Sequence, residues 1–196
     1  MKDIENRIGF WAEADICATQ GRSISNPFKS HIEIFEAKDI LEIGPGWGRQ
    51  FKQLNPLALT YCVADICQKV LNRGVYKDID KFVIKDYQQD LNRKFDIITF
   101  WYVIHHILGS ELDDFFSFLN RHLYVGGSVF FNCPNDEFDQ EIGSPENING
   151  DGIKTTPHGL KKIKSMLQKH QFKISYHKDI ALNCYVLLSE KIGDLI

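Results

Sequence analysis

Apolar positions along this chain change period repeatedly. At 39–43, 59–64, 81–85, 95–101 and 128–132 they form short runs rich in β-branched and aromatic residues, the composition of strands buried in a sheet. Residues 50–54, 68–73 and 110–123 instead suit helices. In the last of these, Leu112, Phe115, Phe116, Leu119 and Leu123 mark one helical face and Ser110 stands as the expected N-cap, while Pro56 ends the first early. Strands alternating with helices predict a parallel sheet covered on both faces.

The two ends of the chain break this alternation. After Pro157, a helix marked by Leu160, Ile163 and Leu167 leads to strands at 172–178 and 184–189 with no helix between them. Such strands pair as a hairpin or lie antiparallel around a neighbour. Upstream, Asn26 and Pro27 supply an N-cap and a first-turn proline ahead of Phe28, Ile32 and Phe35, which predicts a helix packed at the sheet edge. Residues 1–37 are therefore expected to form an N-terminal helical cap segment and 38–196 a single domain. The stretch 133–157 has little regular pattern and holds six acids (Asp136, Glu137, Asp139, Glu141, Glu146, Asp151) against one lysine. Loops of that length act as lids or binding loops, or are disordered.

A length of 196 residues fits one domain, and 23 basic against 26 acidic residues leave a net charge of -3, with no global positive field for nucleic acid or an anionic membrane. The five cysteines (17, 62, 67, 133, 184) are odd in number and form no CxxC, so reduced thiols are expected rather than a disulfide framework or a zinc knuckle. The start of the chain lacks a basic region followed by an apolar stretch, and the longest apolar-rich run, 97–108, is short and holds two histidines. A cytoplasmic protein with no membrane partner is expected.

The most informative segment runs Ile40-Leu-Glu-Ile-Gly-Pro-Gly-Trp-Gly48, a buried-strand pattern entering glycines at alternate positions. Glycine there permits a tight strand-to-helix turn and close approach of a ligand to the backbone. A dinucleotide fingerprint would place its third glycine where Arg49 stands, and a P-loop would end in GK[ST], which is absent. Pro45 also removes an amide donor that a diphosphate would need. Glu42, two residues before the first glycine, repels phosphate but suits an amino group. Asp65 ends the next strand, where a carboxylate accepts hydrogen bonds from both hydroxyls of a ribose. A ribose and an ammonium without a diphosphate describe S-adenosylmethionine.

Glu42-Ile-Gly44-Pro-Gly46-Trp-Gly48 resembles the E/D-x-G-x-G-x-G signature of class I S-adenosylmethionine-dependent methyltransferases. Lys85-Asp86-Tyr87 resembles the family segment after the third strand, and Phe95-Asp96 the "FD" start of the fourth. Val103-Ile-His105-His106-Ile107 is similar to the family's "VLHHL" stretch, and Leu123-Tyr-Val-Gly126-Gly127 to its L-x-P-G-G turn, with Val125 in place of proline. The resemblance implies a single-domain, three-layer Rossmann-like α/β fold with a seven-strand, mostly parallel sheet whose last strand runs antiparallel. It implies cofactor contacts from Glu42, Gly44, Gly46, Gly48, Asp65, Asp86 and Tyr87. Phe100 and Trp101 are candidates to line the adenine pocket, and Tyr102 and Trp11 to touch the acceptor, with Phe10 and Arg22 as further cap candidates.

Methyl transfer from a sulfonium is an in-line displacement, so holding nucleophile and methyl carbon in alignment is the main task. A hydroxyl or carbon nucleophile gains from a base with a pKa near 7, which makes His105 or His106 the candidate catalytic residue. Adjacent histidines without a third ligand are a poor metal site, and no metal is expected. The [DN]PP[YF] motif of base N-methylation is absent, since the matching segment reads Thr99-Phe-Trp-Tyr102, so DNA is not expected as a partner. Lys161, Lys162, Lys164 and Lys169 lie on an amphipathic helix, where such charges form a solvated face or meet a phosphate backbone. The expected function is methylation of a small-molecule acceptor on O, N or C. The alternatives are RNA modification and a catalytically inactive methyltransferase-like binding domain.

Overall fold

A computed structural model describes residues 2–13, 29–134, 147–148, 154–156, 158–179 and 184–195. Its strands are β1 (Asp39–Ile43), β2 (Thr60–Asp65), β3 (Asp80–Val83), β4 (Phe95–Phe100), β5 (Leu123–Pro134), β6 (Asn147–Ile148), β7 (Lys154–Thr155), β8 (Phe172–Asp179) and β9 (Cys184–Lys191). The helices are α1 (Lys2–Glu13), α2 (Phe51–Leu54), α3 (Gln68–Leu71), α4 (Leu112–Arg121) and α5 (Leu160–Lys169). Seven strands form one sheet in the order β3-β2-β1-β4-β5-β9-β8. The first five in that order are parallel, and β9, last in the chain, is antiparallel to both β5 and β8.

Period-2 alternation along each strand divides the core into two layers. Leu41 and Ile43 of β1 join Ile98 and Phe100 of β4 beneath Phe115, Phe116 and Leu119 of α4 and Ile163 and Leu167 of α5. Ile40, Tyr61, Val63, Ile97, Trp101 and Phe130 face the other way, onto Phe35, Leu54, Leu71 and Tyr76. Polar groups stitch the strand ends. Asp96 accepts the Asp39 amide through Oδ2 at 2.9 Å, the structural use of the "FD" start. Lys191, wholly buried, donates to the carbonyls of Asn120 (2.8 Å) and Leu123 (2.9 Å) and to Asp194, tying the end of α4 to the last strand.

Several local expectations change. The helix expected from Asn26 is, within the described residues, a 3₁₀ segment at Lys29–Phe35 interrupted at His31 (φ -141°, ψ 22°), and Ile32 faces solvent while Phe35 is buried. Three residues per turn and the break at His31 separate positions that an α-helix would align. Ser110 does not cap α4: Glu111 occupies the N-cap position and makes no side-chain cap bond, because its carboxylate is drawn to Arg7. β5 begins five residues earlier than the apolar run suggests, since Leu123 already pairs with Phe95. Within 133–157, β6 and β7 pair antiparallel. α1 falls within the segment 1–37 and carries Ile4, Ile8 and Trp11 at helical spacing in the sequence. Phe28 and Arg22 lie outside the described residues. Cys62, Cys67 and Cys133 are buried.

Phe115 is wholly buried and packs edge-on against Phe100 and Tyr87, with ring centroids 5.3 and 5.1 Å apart. Phe115→Ala is expected to lower unfolding free energy by about 3–5 kcal/mol, read from urea denaturation midpoints. A loss below about 1 kcal/mol would contradict this packing.

Candidate functional site

The site is built around the turn after β1. Gly44 still completes the parallel ladder, its amide donating to the Ala64 carbonyl at 2.8 Å. Its backbone is nevertheless left-handed (φ +65°), as are those of Gly46 (+56°) and Gly48 (+77°). A β-carbon at Gly44 would lie 2.5 Å from Val103 Cγ2, so the missing side chain lets β1 close on the segment that follows β4. Gly48 then donates to the Pro45 carbonyl at 3.0 Å and accepts from Lys52 at 3.1 Å, starting the helical turn. Arg73 and Tyr76 brace the turn from the other side. The Tyr76 hydroxyl lies 2.9 Å from the Pro45 carbonyl and 3.1 Å from that of Gly46, and Arg73 Nη1 donates to the Gly46 carbonyl at 2.6 Å.

Two carboxyl groups flank this turn. Glu42 is 2% exposed and accepts a hydrogen bond from the Tyr61 hydroxyl at 2.8 Å. Burial raises its pKa to about 8, with the Tyr61 bond opposing. At neutral pH it is largely a neutral acid, a group that an incoming cation would ionise. Asp65 ends β2 and receives the Cys67 amide on Oδ1 at 2.8 Å. Burial raises its pKa to about 6, opposed by that hydrogen bond and by the charge of Arg73.

The remaining sequence candidates divide. Asp86 is exposed and accepts the Gln88 amide at 2.9 Å, a local turn contact. Tyr87 packs on Phe115 and Phe118; burial raises its pKa, and the charges of Glu111, Arg7 and Asp65 all act on it. Phe100 corrects the expectation that it lines a pocket: it has no exposed surface and stacks on Phe131 at 4.5 Å on the core side of β4. Trp101 is 7% exposed and stacks on Phe130 in the opposite layer. Tyr102 stands at the carboxyl end of β4, half exposed, in a left-handed conformation (φ +58°), and its amide donates to Asn132 Oδ1 at 2.7 Å.

His105 and His106 form a 3₁₀ turn just beyond β4, their rings 4.0 Å apart. Neither has the near-neutral pKa expected of it. Burial, then the charge of His158, lowers His105 to about 4, and burial, then His105 and Arg7, lowers His106 to about 3. Both rings are neutral and weakly basic. Trp11 meets His106 edge-on at 4.9 Å. Arg7 of the same helix, 7% exposed, forks onto Glu111 at 2.7 and 3.0 Å and donates to the His106 carbonyl at 3.2 Å. Lys69 and Glu13, 2.6 Å apart, tie the end of α1 to α3.

Arg7, Glu111, Arg73, Tyr76, Asn132 and His158 were not singled out in the sequence. Only Arg7 carried a usable signal, four residues before Trp11 on a helical face. The others act across 27 or more residues, which no local pattern shows. Among the described residues no group of three His, Cys, Asp or Glu side chains is arranged to hold a metal, and no helix is long and apolar enough to cross a membrane.

This sheet order, with a glycine turn at the β1–β4 switch point and an acid ending β2, is the Rossmann-like methyltransferase architecture. The family described as methyltransferase domain matches residues 24–177, and the chain belongs to it. Among solved structures, the N-methyltransferase NodS from Bradyrhizobium japonicum WM9, in complex with S-adenosyl-L-homocysteine, superposes with a TM-score of 0.68 at 15% identity, covering 97% of this chain and 100% of that one. A DhpI complex with S-adenosylhomocysteine gives a TM-score of 0.71 at 13% identity over 96% and 97% of the two chains. An S-adenosylmethionine-dependent methyltransferase from Clostridium acetobutylicum gives 0.64 at 18% over 85% and 89%. No protein among the curated sequences matches.

Two outcomes follow from this geometry. Gly44→Ala must adopt a left-handed backbone and push Val103 aside, which is expected to cost about 2–4 kcal/mol of stability in denaturant titrations. Adding Val103→Ala should relieve the clash and leave the backbone strain; equal stability of Gly44→Ala and wild type would contradict the turn.

The second concerns pH. Between pH 4.5 and about 8 native Glu42 holds a proton that the unfolded chain has released, so stability falls as pH rises through that window, and Asp65 acts likewise up to about 6. His105, His106, His122 and His158, depressed below 6.5, act in the opposite sense, so their contribution grows with pH until 6.5. From 6.5 to 8 Glu42 remains, and stability should drop by on the order of 1 kcal/mol per pH unit. Glu42→Gln should flatten that slope in urea titrations; an unchanged slope would show that another group sets it.

Proposed function

We propose that the protein transfers the methyl group of S-adenosylmethionine to a small-molecule acceptor. The observation that carries this reading is the left-handed glycine turn at the switch point of the sheet, beside Asp65 at the end of β2. A turn stripped of β-carbons admits a ligand against the backbone, and the adjacent carboxyl groups suit a ribose diol and an ammonium. Glu42, buried with a hydroxyl for a partner, supports this fit, since a ligand cation would supply the charge that ionises it. The S-adenosylhomocysteine bound in the NodS and DhpI structures supports the same cofactor here.

In this reading Asp65 orients the ribose, Glu42 faces the amino group, and Tyr87 with Asp86 borders the base. α1 serves as the cap: Trp11 meets the His106 ring edge-on and Tyr102 presents the exposed face for the acceptor. When bound, the cofactor supplies an electrophilic methyl carbon and a neutral thioether leaving group. The chain's own residues align the acceptor and exclude water. His105 and His106, neutral at pH 7, place no positive charge near a sulfonium, but their low basicity makes them poor acceptors for an alcohol proton. That favours an acceptor whose attacking atom is an amine nitrogen.

Calorimetry of the purified protein is expected to show binding of S-adenosylmethionine and S-adenosylhomocysteine and none of NAD. Asp65→Ala should weaken S-adenosylhomocysteine by roughly 10- to 100-fold, the loss of a charged hydrogen-bonding group. Undiminished binding in Asp65→Ala, or tighter binding of NAD, would overturn the reading. Incubation with methyl-labelled cofactor and a metabolite extract, and separately with RNA, then assigns the acceptor: label in small molecules supports the proposal, and label in RNA alone refutes its acceptor class.

A further inference from the structure

The glycine turn has too little side chain to hold its own shape, and two residues from a distant segment hold it. We propose that Arg73 and Tyr76 are positioning residues, which pin the Pro45 and Gly46 carbonyls so that the Gly46 and Trp47 amides face the carboxylate of the cofactor's amino-acid end. This inference rests on the cofactor reading above.

A trans peptide unit is planar, with its carbonyl and its amide hydrogen pointing in opposite directions. Fixing the Pro45 oxygen therefore fixes the Gly46 N–H, and fixing the Gly46 oxygen fixes the Trp47 N–H. Tyr76, wholly buried, brings its hydroxyl to both oxygens, nearer to Pro45 at 2.9 Å. Arg73 donates a charge-assisted bond to the Gly46 oxygen at 2.6 Å, and its guanidinium lies over the Trp47 ring at 4.0 Å, so the same side chain clamps both sides of one peptide unit. The other turn amides are spoken for: Gly44 donates to Ala64, Gly48 donates to Pro45, and Pro45 has none. Those of Gly46 and Trp47 make no hydrogen bond among the described residues and point away from the clamp. Two successive amides on a left-handed turn form a concave donor pair suited to one carboxylate. Without the clamp, glycines at 44, 46 and 48 leave these peptide planes free to rotate, and the pair is lost on average.

The test uses two probes with the same nucleoside: S-adenosylhomocysteine, which has the amino-acid end, and 5′-methylthioadenosine, which lacks it. Tyr76→Phe keeps the buried ring and removes the hydroxyl. Arg73→Lys keeps the charge that acts on Asp65 and removes the planar fork and the stacking on Trp47. Calorimetry is expected to show S-adenosylhomocysteine weakened roughly tenfold in Tyr76→Phe, with a loss in the same direction in Arg73→Lys. Affinity for 5′-methylthioadenosine should stay within about twofold in both. Equal losses for the two probes would mean that these residues merely support the whole site, and no loss for either would mean that the turn holds itself; both outcomes overturn the proposal. If wild type bound neither probe, the cofactor reading would fall first, and that is seen before any variant is compared.

Discussion

A parallel strand has to end within one residue and leave open backbone at its tip, and the left-handed conformation of Gly44 is what allows it. The amide of Gly44 still belongs to the β1–β2 ladder while its φ has already changed sign, so strand and turn share a residue. Any side chain there would meet Val103. That single approach sets how near the segment after β4 comes to the glycine turn, and with it the placement of Tyr102, His105 and His106. The free-energy cost of the turn is met elsewhere, by the two aromatic-rich layers on either face of the sheet.

Burial governs the electrostatics of this edge. Glu42, Asp65, His105 and His106 all have pKa values displaced toward their neutral forms, because water is excluded before any ligand arrives. Asp65, at about 6, still ionises at neutral pH, and the positive charges within the site are those of Arg7 and Arg73, one forked onto Glu111 and the other onto the turn and Trp47. For the proposed chemistry this is a favourable ground: neutral imidazoles do not repel a sulfonium, and a carboxyl group that ionises only beside a cation discriminates against anions.

α1 closes the edge through contacts of unequal strength. The Glu13–Lys69 pair is solvent-exposed and contributes little, while the Arg7–Glu111 fork is largely buried and also engages the His106 carbonyl. The same Glu111 stands at the start of α4, so α1 and α4 are joined at one carboxylate. This is why Ser110 is bypassed as a cap.

Where burial on both sides demands apolar residues, the sequence alone determined the structure: the seven strands of the main sheet, α4 and α5 were legible from periodicity, and the antiparallel last strand from the absence of a helix between 178 and 184. The glycine triplet was legible because only certain residue types tolerate a left-handed turn. Other features depended on groups far apart in the chain, which no local pattern records. Only the tertiary structure placed Arg73 and Tyr76 against the turn, paired Arg7 with Glu111, sent Phe100 into the core and Tyr102 to the surface, and dehydrated His105 and His106. Alternation along a strand assigns a side chain to a face but not to pocket or core. A histidine's basicity is likewise set by the water that its neighbours exclude, and that exists only once distant elements have packed around it.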